Sequence, residues 1–251
     1  MARIALITGA NRGLGRSTAL HLAEAGTDLL LTYRSHAEEA ADVVARIRAM
    51  GRTAVALPLD ASDPAAFPAF AETVRGLLKE HWEREDFDIL LNNAGHGSYK
   101  AFAQTTEEEF DALMDVHVKG VFFLTQALLP LLKDGGRILN TSTGLTRFIA
   151  AETSAYAAAK GAVEVLTRYL AKELGPRGIA VNVIAPGATA TDFGGGAVRD
   201  NLETRNGLGS LTAMGRVGEA DDIGAAAAAL LDERTSWITG QRVEASGGML
   251  L

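Results

Sequence analysis

Seven short runs of the chain are apolar almost throughout: RIALIT (3–8), DLLLTY (28–33), TAVALPL (53–59), FDILLN (87–92), GRILNT (136–141), IAVNVIA (179–185) and QRVEAS (241–246). Successive side chains on a strand point to opposite faces, so a run without alternation needs cover on both sides. Longer helix-like segments lie between them, at 13–25, 37–50, 64–80, 106–132, 152–174 and 219–231. Strand–helix alternation of this kind predicts an α/β fold of three layers. A doubly wound parallel sheet of about seven strands is flanked by helices on both faces, with right-handed crossovers. The ligand site of such a sheet lies outside the carboxyl ends of its strands.

Local signals agree with the division. Ser35 followed by Glu38 reads as a capping box opening the second helix, and Gly51 as its stop. Asp63-Pro64 reads as an N-cap with Pro at the first helical position. With 251 residues, no repeat and no linker, residues 1–251 are expected to form a single domain. A formal charge of −7 argues against nucleic acid and anionic membrane as partners. The absence of Cys excludes disulfides and thiol nucleophiles, and fits a reducing, cytoplasmic location. No apolar run approaches the ~20 residues of a membrane span. No metal-ligand spacing is present, and His21, His36 and His81 read as helix-surface residues.

Two stretches carry chemistry. After the first strand comes TGANRGLGRSTALHLAEAG, with glycines at 9, 13 and 15. Glycine there allows a tight turn and close approach of backbone to a pyrophosphate at the N-terminus of the next helix. The second stretch, NTSTGLTRFIAAETSAYAAAK (140–160), places Tyr156 and Lys160 on one helix face. A phenol titrates near ~10, and a neighbouring cation would lower that value toward use as a proton-transfer group.

Together with Asn92-Asn93-Ala94-Gly95 after the fourth strand, Pro186-Gly187 and Thr191, these motifs resemble the short-chain dehydrogenase/reductase family, in particular its 3-oxoacyl-acyl-carrier-protein-reductase-like members. The resemblance covers nearly the whole chain. It implies a Rossmann-type NAD(P)-binding domain that transfers a hydride between nicotinamide and a carbonyl or secondary alcohol. It assigns the cofactor to Gly9, Asn11, Arg12, Gly13, Leu14 and Gly15, to Asp60 and Ala61, to Asn92, Ala94 and Gly95, to Tyr156 and Lys160, and to Pro186, Gly187, Thr189 and Thr191. The second strand ends in Tyr33-Arg34-Ser35, with no acid to hold a ribose 2′-hydroxyl. Arg12 and Arg34 instead make a fork for a 2′-phosphate, so NADP is expected and NAD is the alternative.

Family members place a Ser thirteen positions before the Tyr. Here that position is Thr143, with Ser142 as the second choice. They also place an Asn where this chain has His117; neutral His retains one donor and one acceptor, so a proton relay toward Lys160 could survive. The glycine-rich stretch at about 192–214 is expected to form a substrate lid. His96, Tyr99, Phe148, Phe193 and Met214 are candidate pocket walls. The resemblance further implies a homotetramer. An epimerase or dehydratase on the same scaffold, or a nucleotide-binding sensor without turnover, are the competing readings.

Overall fold

The computed structural model describes residues 2–251. In chain order the main elements are β1 (Ile4–Ile7), α1 (Gly13–Glu24), β2 (Asp28–Tyr33), α2 (Ala37–Ala49), β3 (Ala54–Pro58), α3 (Phe67–Trp82), β4 (Phe87–Asn92), α4 (Glu107–Met114), α5 (Gly120–Leu128), β5 (Leu132–Thr141), α6 (Ser154–Leu174), β6 (Ala180–Pro186), β7 (Thr189–Ala190), α7 (Ala197–Asp200), α8 (Leu202–Ser210), β8 (Gly218–Glu219), α9 (Ala220–Leu230) and β9 (Arg242–Ala245). Seven strands form one parallel sheet in the order β3-β2-β1-β4-β5-β6-β9. The chain winds outward from β1 to β3, then returns to β4 on the other side of β1. That reversal opens a crevice at the carboxyl ends of β1 and β4.

The period of two explains the uniform apolar runs. Ile4, Leu6 and Leu30 face one core, built with Phe67, Val74 and Leu78 of α3, Leu124 and Leu128 of α5, and Leu174 of α6. Their neighbours Ala5, Ile7, Leu29 and Leu31 face the other, with Leu22 of α1, Val43 and Ile47 of α2, and Ile223 and Ala227 of α9. Each fully buried Leu or Ile contributes about 1.5–3 kcal/mol, and none of these strands has a face to spare for water. The continuous helical stretch Glu107–Leu131 is long and apolar enough to cross a membrane by composition, but its Leu124 and Leu128 belong to the sheet's core.

Several local expectations are corrected. The Ser35–Glu38 capping box does not form: His36 caps α2 in a left-handed conformation (φ 60°) without a side-chain bond, leaving Ser35 one residue too early. The reciprocal boxes are Thr106 with Glu109 at α4 and Glu219 with Asp222 at α9. Asp63 does accept from the Ala65 amide (3.1 Å), but the turn it caps is a short 3₁₀ piece leading into α3. The helix expected over 106–132 is interrupted by a π turn at Asp115–Lys119, and β5 begins at Leu132 rather than 136. Residues 192–214 are no plain loop. They hold a 3₁₀ turn, α7 and α8, entered through the left-handed glycines Gly194, Gly195 and Gly196. β7 and β8, absent from the sequence reading, pair in parallel and bracket this segment.

Candidate active site

The glycine loop follows β1 directly. Gly9 (φ 63°) and Gly13 (φ 55°) occupy left-handed backbone that disfavours any side chain, and a Cβ at Gly15 would lie 2.6 Å from Asn93 Nδ2. The loop is clamped to the end of β4 by Thr8, whose hydroxyl accepts from the amides of Asn93 and Ala94, both at 2.9 Å. Asn93 returns the contact, donating from Nδ2 to the carbonyls of Thr8 (3.0 Å) and Gly9 (3.1 Å). Thr191 closes the cleft from the opposite side: its Cβ is 3.9 Å from where a Cβ on Gly13 would stand.

At the far end of the cleft Arg12 and Arg34 are exposed, and neither has an ion pair among the described residues. Ser35 is exposed beside them, and Tyr33 is half-buried at the strand end. Hydrogen bonds from Ser62, and more weakly the Arg34 charge, hold the Asp60 carboxyl below its ordinary range. Beyond β6, the Gly187 amide donates to Ala245 O (3.1 Å) and Thr189 Oγ1 to Gly187 O (3.0 Å), which fixes the turn after Pro186. Left-handed glycines, a helix N-terminus and two unpaired guanidiniums fit a dinucleotide with a phosphorylated ribose.

Tyr156 and Lys160 project from the first turns of α6 into the same crevice. Both are nearly inaccessible, at 8% and 5% exposure. Burial, and then the Tyr99 phenol, pushes the Tyr156 pKa up from the ordinary phenol value, and the facing Thr143 side chain opposes that shift. Lys160 Nζ lies 5.8 Å from the Tyr156 ring centre and donates to Thr141 O at 2.7 Å; burial lowers its pKa to about 7. Between Lys160 and the phenol alone, desolvation dominates both groups and favours their neutral forms, so Lys160 by itself does not make the phenol acidic. A neutral phenol is a proton donor.

A family model described as enoyl-(acyl carrier protein) reductase matches residues 9–250. The 3-oxoacyl-[acyl-carrier-protein] reductase FabG of Staphylococcus aureus is 34% identical over 254 residues, covering 100% of this chain and 99% of the relative. The chain belongs to the short-chain dehydrogenase/reductase family. Tetrahydroxynaphthalene reductase PfmaG of Pestalotiopsis fici is 34% identical over 257 residues, covering 98% of this chain and 91% of its own. The crystal structure of the angucycline C-6 ketoreductase LanV with bound NADP superposes with a TM-score of 0.93 at 38% identity, over 99% of this chain and 95% of LanV.

Within this short-chain dehydrogenase/reductase the two candidate hydroxyls diverge. Thr143 faces Tyr156, whereas Ser142 turns away and donates to Glu164 Oε1 at 2.7 Å. His117 sits in the π turn, a distortion that often marks functional positions. Its Nε2 is 2.7 Å from His96 O, and since a carbonyl only accepts, that nitrogen carries the proton. Nδ1 is a buried acceptor without a partner among the described residues. Burial, then the Lys160 charge, lowers the His117 pKa to about 2, so the imidazole is neutral. The ring centre is 5.3 Å from that of Tyr156 and leans on Gly95, where a Cβ would be 2.9 Å from Nδ1.

Three expected cofactor contacts are placed differently. Asn92 points into the sheet, donating to Thr125 Oγ1 (3.0 Å) and Asn140 Oδ1 (2.8 Å); its side chain belongs to a buried polar chain that Asn140 extends to Thr167 (2.9 Å). Asn11 donates to Glu39 Oε2 (2.8 Å), and Leu14 packs on the core beneath α1. Asn93, one residue past β4, turns the other way and holds the glycine loop.

The outer wall is aromatic. The ring centre of Phe193 stands 5.8 Å from that of Tyr156, and its Cε1 lies 2.8 Å from where a Cβ on Gly97 would stand. Tyr99 fits against Gly194 and is 58% exposed. Phe148 packs on Gly144, at 2.7 Å from the position of a Cβ there. Met214 is not among these: it rests 3.7 Å from the Cβ position of Gly247, on the C-terminal turn.

Proposed function

We propose that this enzyme reduces the ketone of an aromatic, fused-ring substrate with NADPH. The observation that supports it most is the buried Tyr156 phenol, which faces the Thr143 side chain and opens onto the Phe193–Tyr99 wall. Bound NADPH supplies the hydride. The glycine loop, Ala94, Gly95, Pro186, Gly187, Thr189 and Thr191 would hold it, and Arg12 and Arg34 would meet the 2′-phosphate. The Tyr156 and Thr143 hydroxyls turn toward the ketone oxygen and donate to it, and Tyr156 delivers its proton as the carbonyl carbon is reduced. Burial keeps the phenol protonated, which favours reduction over oxidation. Lys160, with its pKa near 7, restores that proton, and the bare Nδ1 of His117 is placed to accept a bond along the same route. The helical segment 192–214 acts as a lid that brings Phe193 over the site and excludes water.

PfmaG and LanV act, by their names, on a hydroxylated naphthalene and as a ketoreductase, which supports the substrate class. Loss of NADPH absorbance against a ketone panel is the test. Fused-ring aromatic ketones are expected to exceed aliphatic ketones of similar size by at least about tenfold in kcat/KM. In the same assay Thr143→Val should lower kcat by about 10²-fold, while Ser142→Ala stays within about threefold. The reverse order would transfer the substrate contact to Ser142, and absence of turnover on every ketone would leave a nucleotide-binding sensor.

A further inference from the structure

We propose that Arg242 and Arg147 are positioning residues, which tie the Thr143 loop to the C-terminal segment and through it to the lid. The inference rests on the reading that Thr143 contacts the ketone.

Arg242, on β9, reaches across β6 to the loop after β5. Its Nη2 donates to the Thr143 carbonyl (3.2 Å) and to Thr146 Oγ1 (3.1 Å), and its Nε donates to Glu164 Oε1 (2.8 Å). Ser142 and Thr146 each donate to that same carboxylate oxygen at 2.7 Å. Thr143 is thus bracketed by groups bonded to one Arg–Glu pair. Both side chains of this pair are largely shielded, at 23% and 13% exposure, where an ion pair with good geometry resists solvent screening.

The tie continues outward. Arg242 Nη1 donates to Glu244 Oε2 (2.9 Å), and Arg147 grips both oxygens of Glu244 in a fork at 2.7 Å and 2.7 Å. The same guanidinium donates to the carbonyls of Met249 (2.5 Å) and Leu250 (2.9 Å). The C-terminal residues in turn pair with the end of the lid: Ala213 and Met214 amides donate to Gly248 and Gly247 carbonyls (3.1 Å each), and the Leu250 amide donates to Leu211 O (2.9 Å). Leu250 adopts a left-handed backbone (φ 49°) in making this connection, a strain that its two hydrogen bonds offset. The Arg147 contact, first among several, holds the Glu244 carboxyl down to about 2, so the tie stays charged through the neutral range and is a permanent brace rather than a pH switch.

The Arg242 end of these contacts meets the Thr143 loop, whereas Gly187 on the cofactor side is held by the Ala245 backbone and by neither arginine, so the effect of Arg242 is read at the Thr143 hydroxyl. The test is a double-mutant cycle of Arg242→Ala with Thr143→Val, reading kcat for the aromatic ketone and the Kd of NADPH by fluorescence. Arg242→Ala is expected to lower kcat about tenfold in the native background, leave the NADPH Kd within about twofold, and have less than about a twofold effect once Thr143 is Val. An equal factor in both backgrounds, or parallel loss of NADPH affinity, overturns the inference. Should Arg242→Ala fail to fold, Arg147→Ala is read in the same cycle against the same outcomes. Native turnover by Thr143→Val alone would overturn the functional reading and this inference together. A strong Thr143→Val defect with a background-independent Arg242→Ala factor overturns the inference only.

Discussion

Tyr156→Phe is expected to lower kcat for ketone reduction by about 10³-fold, within the range that a positioned general acid supplies. The NADPH Kd should stay within about twofold, because the ring remains packed between His117 and Phe193 and the cofactor cleft keeps its other contacts. The substitution removes one buried polar group and keeps the packing of the ring, so the stability cost should be about 1 kcal/mol at most. Steady-state rates, a fluorescence titration with NADPH and a melting curve separate the three effects. Turnover above a tenth of native would remove the phenol from the proton-transfer role.

The second large effect is expected at the other end of the cleft. Each guanidinium that meets a phosphate through charge-assisted bonds contributes about 1.5–3 kcal/mol. Replacing Arg12 and Arg34 together by Ser should therefore weaken NADPH binding by about 10²- to 10⁴-fold, while NADH binding changes by less than about threefold. Both residues are exposed and unpaired, so the variant sacrifices no ion pair of the fold. The native NADPH affinity should also fall with salt more steeply than that of the double variant, since the 2′-phosphate contact is screened. Equal losses for NADPH and NADH would mean that the arginines serve the pyrophosphate or the fold instead of discriminating the ribose.

The layers, the strand set and the crevice could be read from the chain because a period of two, applied to runs such as DLLLTY, leaves no polar face. What escaped were features set by geometry rather than pattern. The left-handed turn at His36 cancels a well-formed capping motif. Glycines 194–196 and a weakly amphipathic α8 hide two helices inside what reads as loop. Tyr156 and Lys160 were located by spacing, but the sign of their electrostatics depends on burial, which spacing does not carry. The brace of Arg242, Glu164, Glu244 and Arg147 joins residues far apart in sequence, with Arg147 and Glu244 97 positions apart, so no local motif announces it.

Hydride transfer to a carbonyl carbon, with Tyr156 supplying the proton, is the claim on which the other assignments depend. NADPH carrying deuterium at the transferable C4 position, incubated with the enzyme and a fused-ring aromatic ketone, tests it in one product analysis. The account predicts one deuterium per alcohol formed, on the carbinol carbon, at a rate that collapses in Tyr156→Phe. An unlabelled product, or labelled alcohol formed at an undiminished rate by that variant, would contradict it.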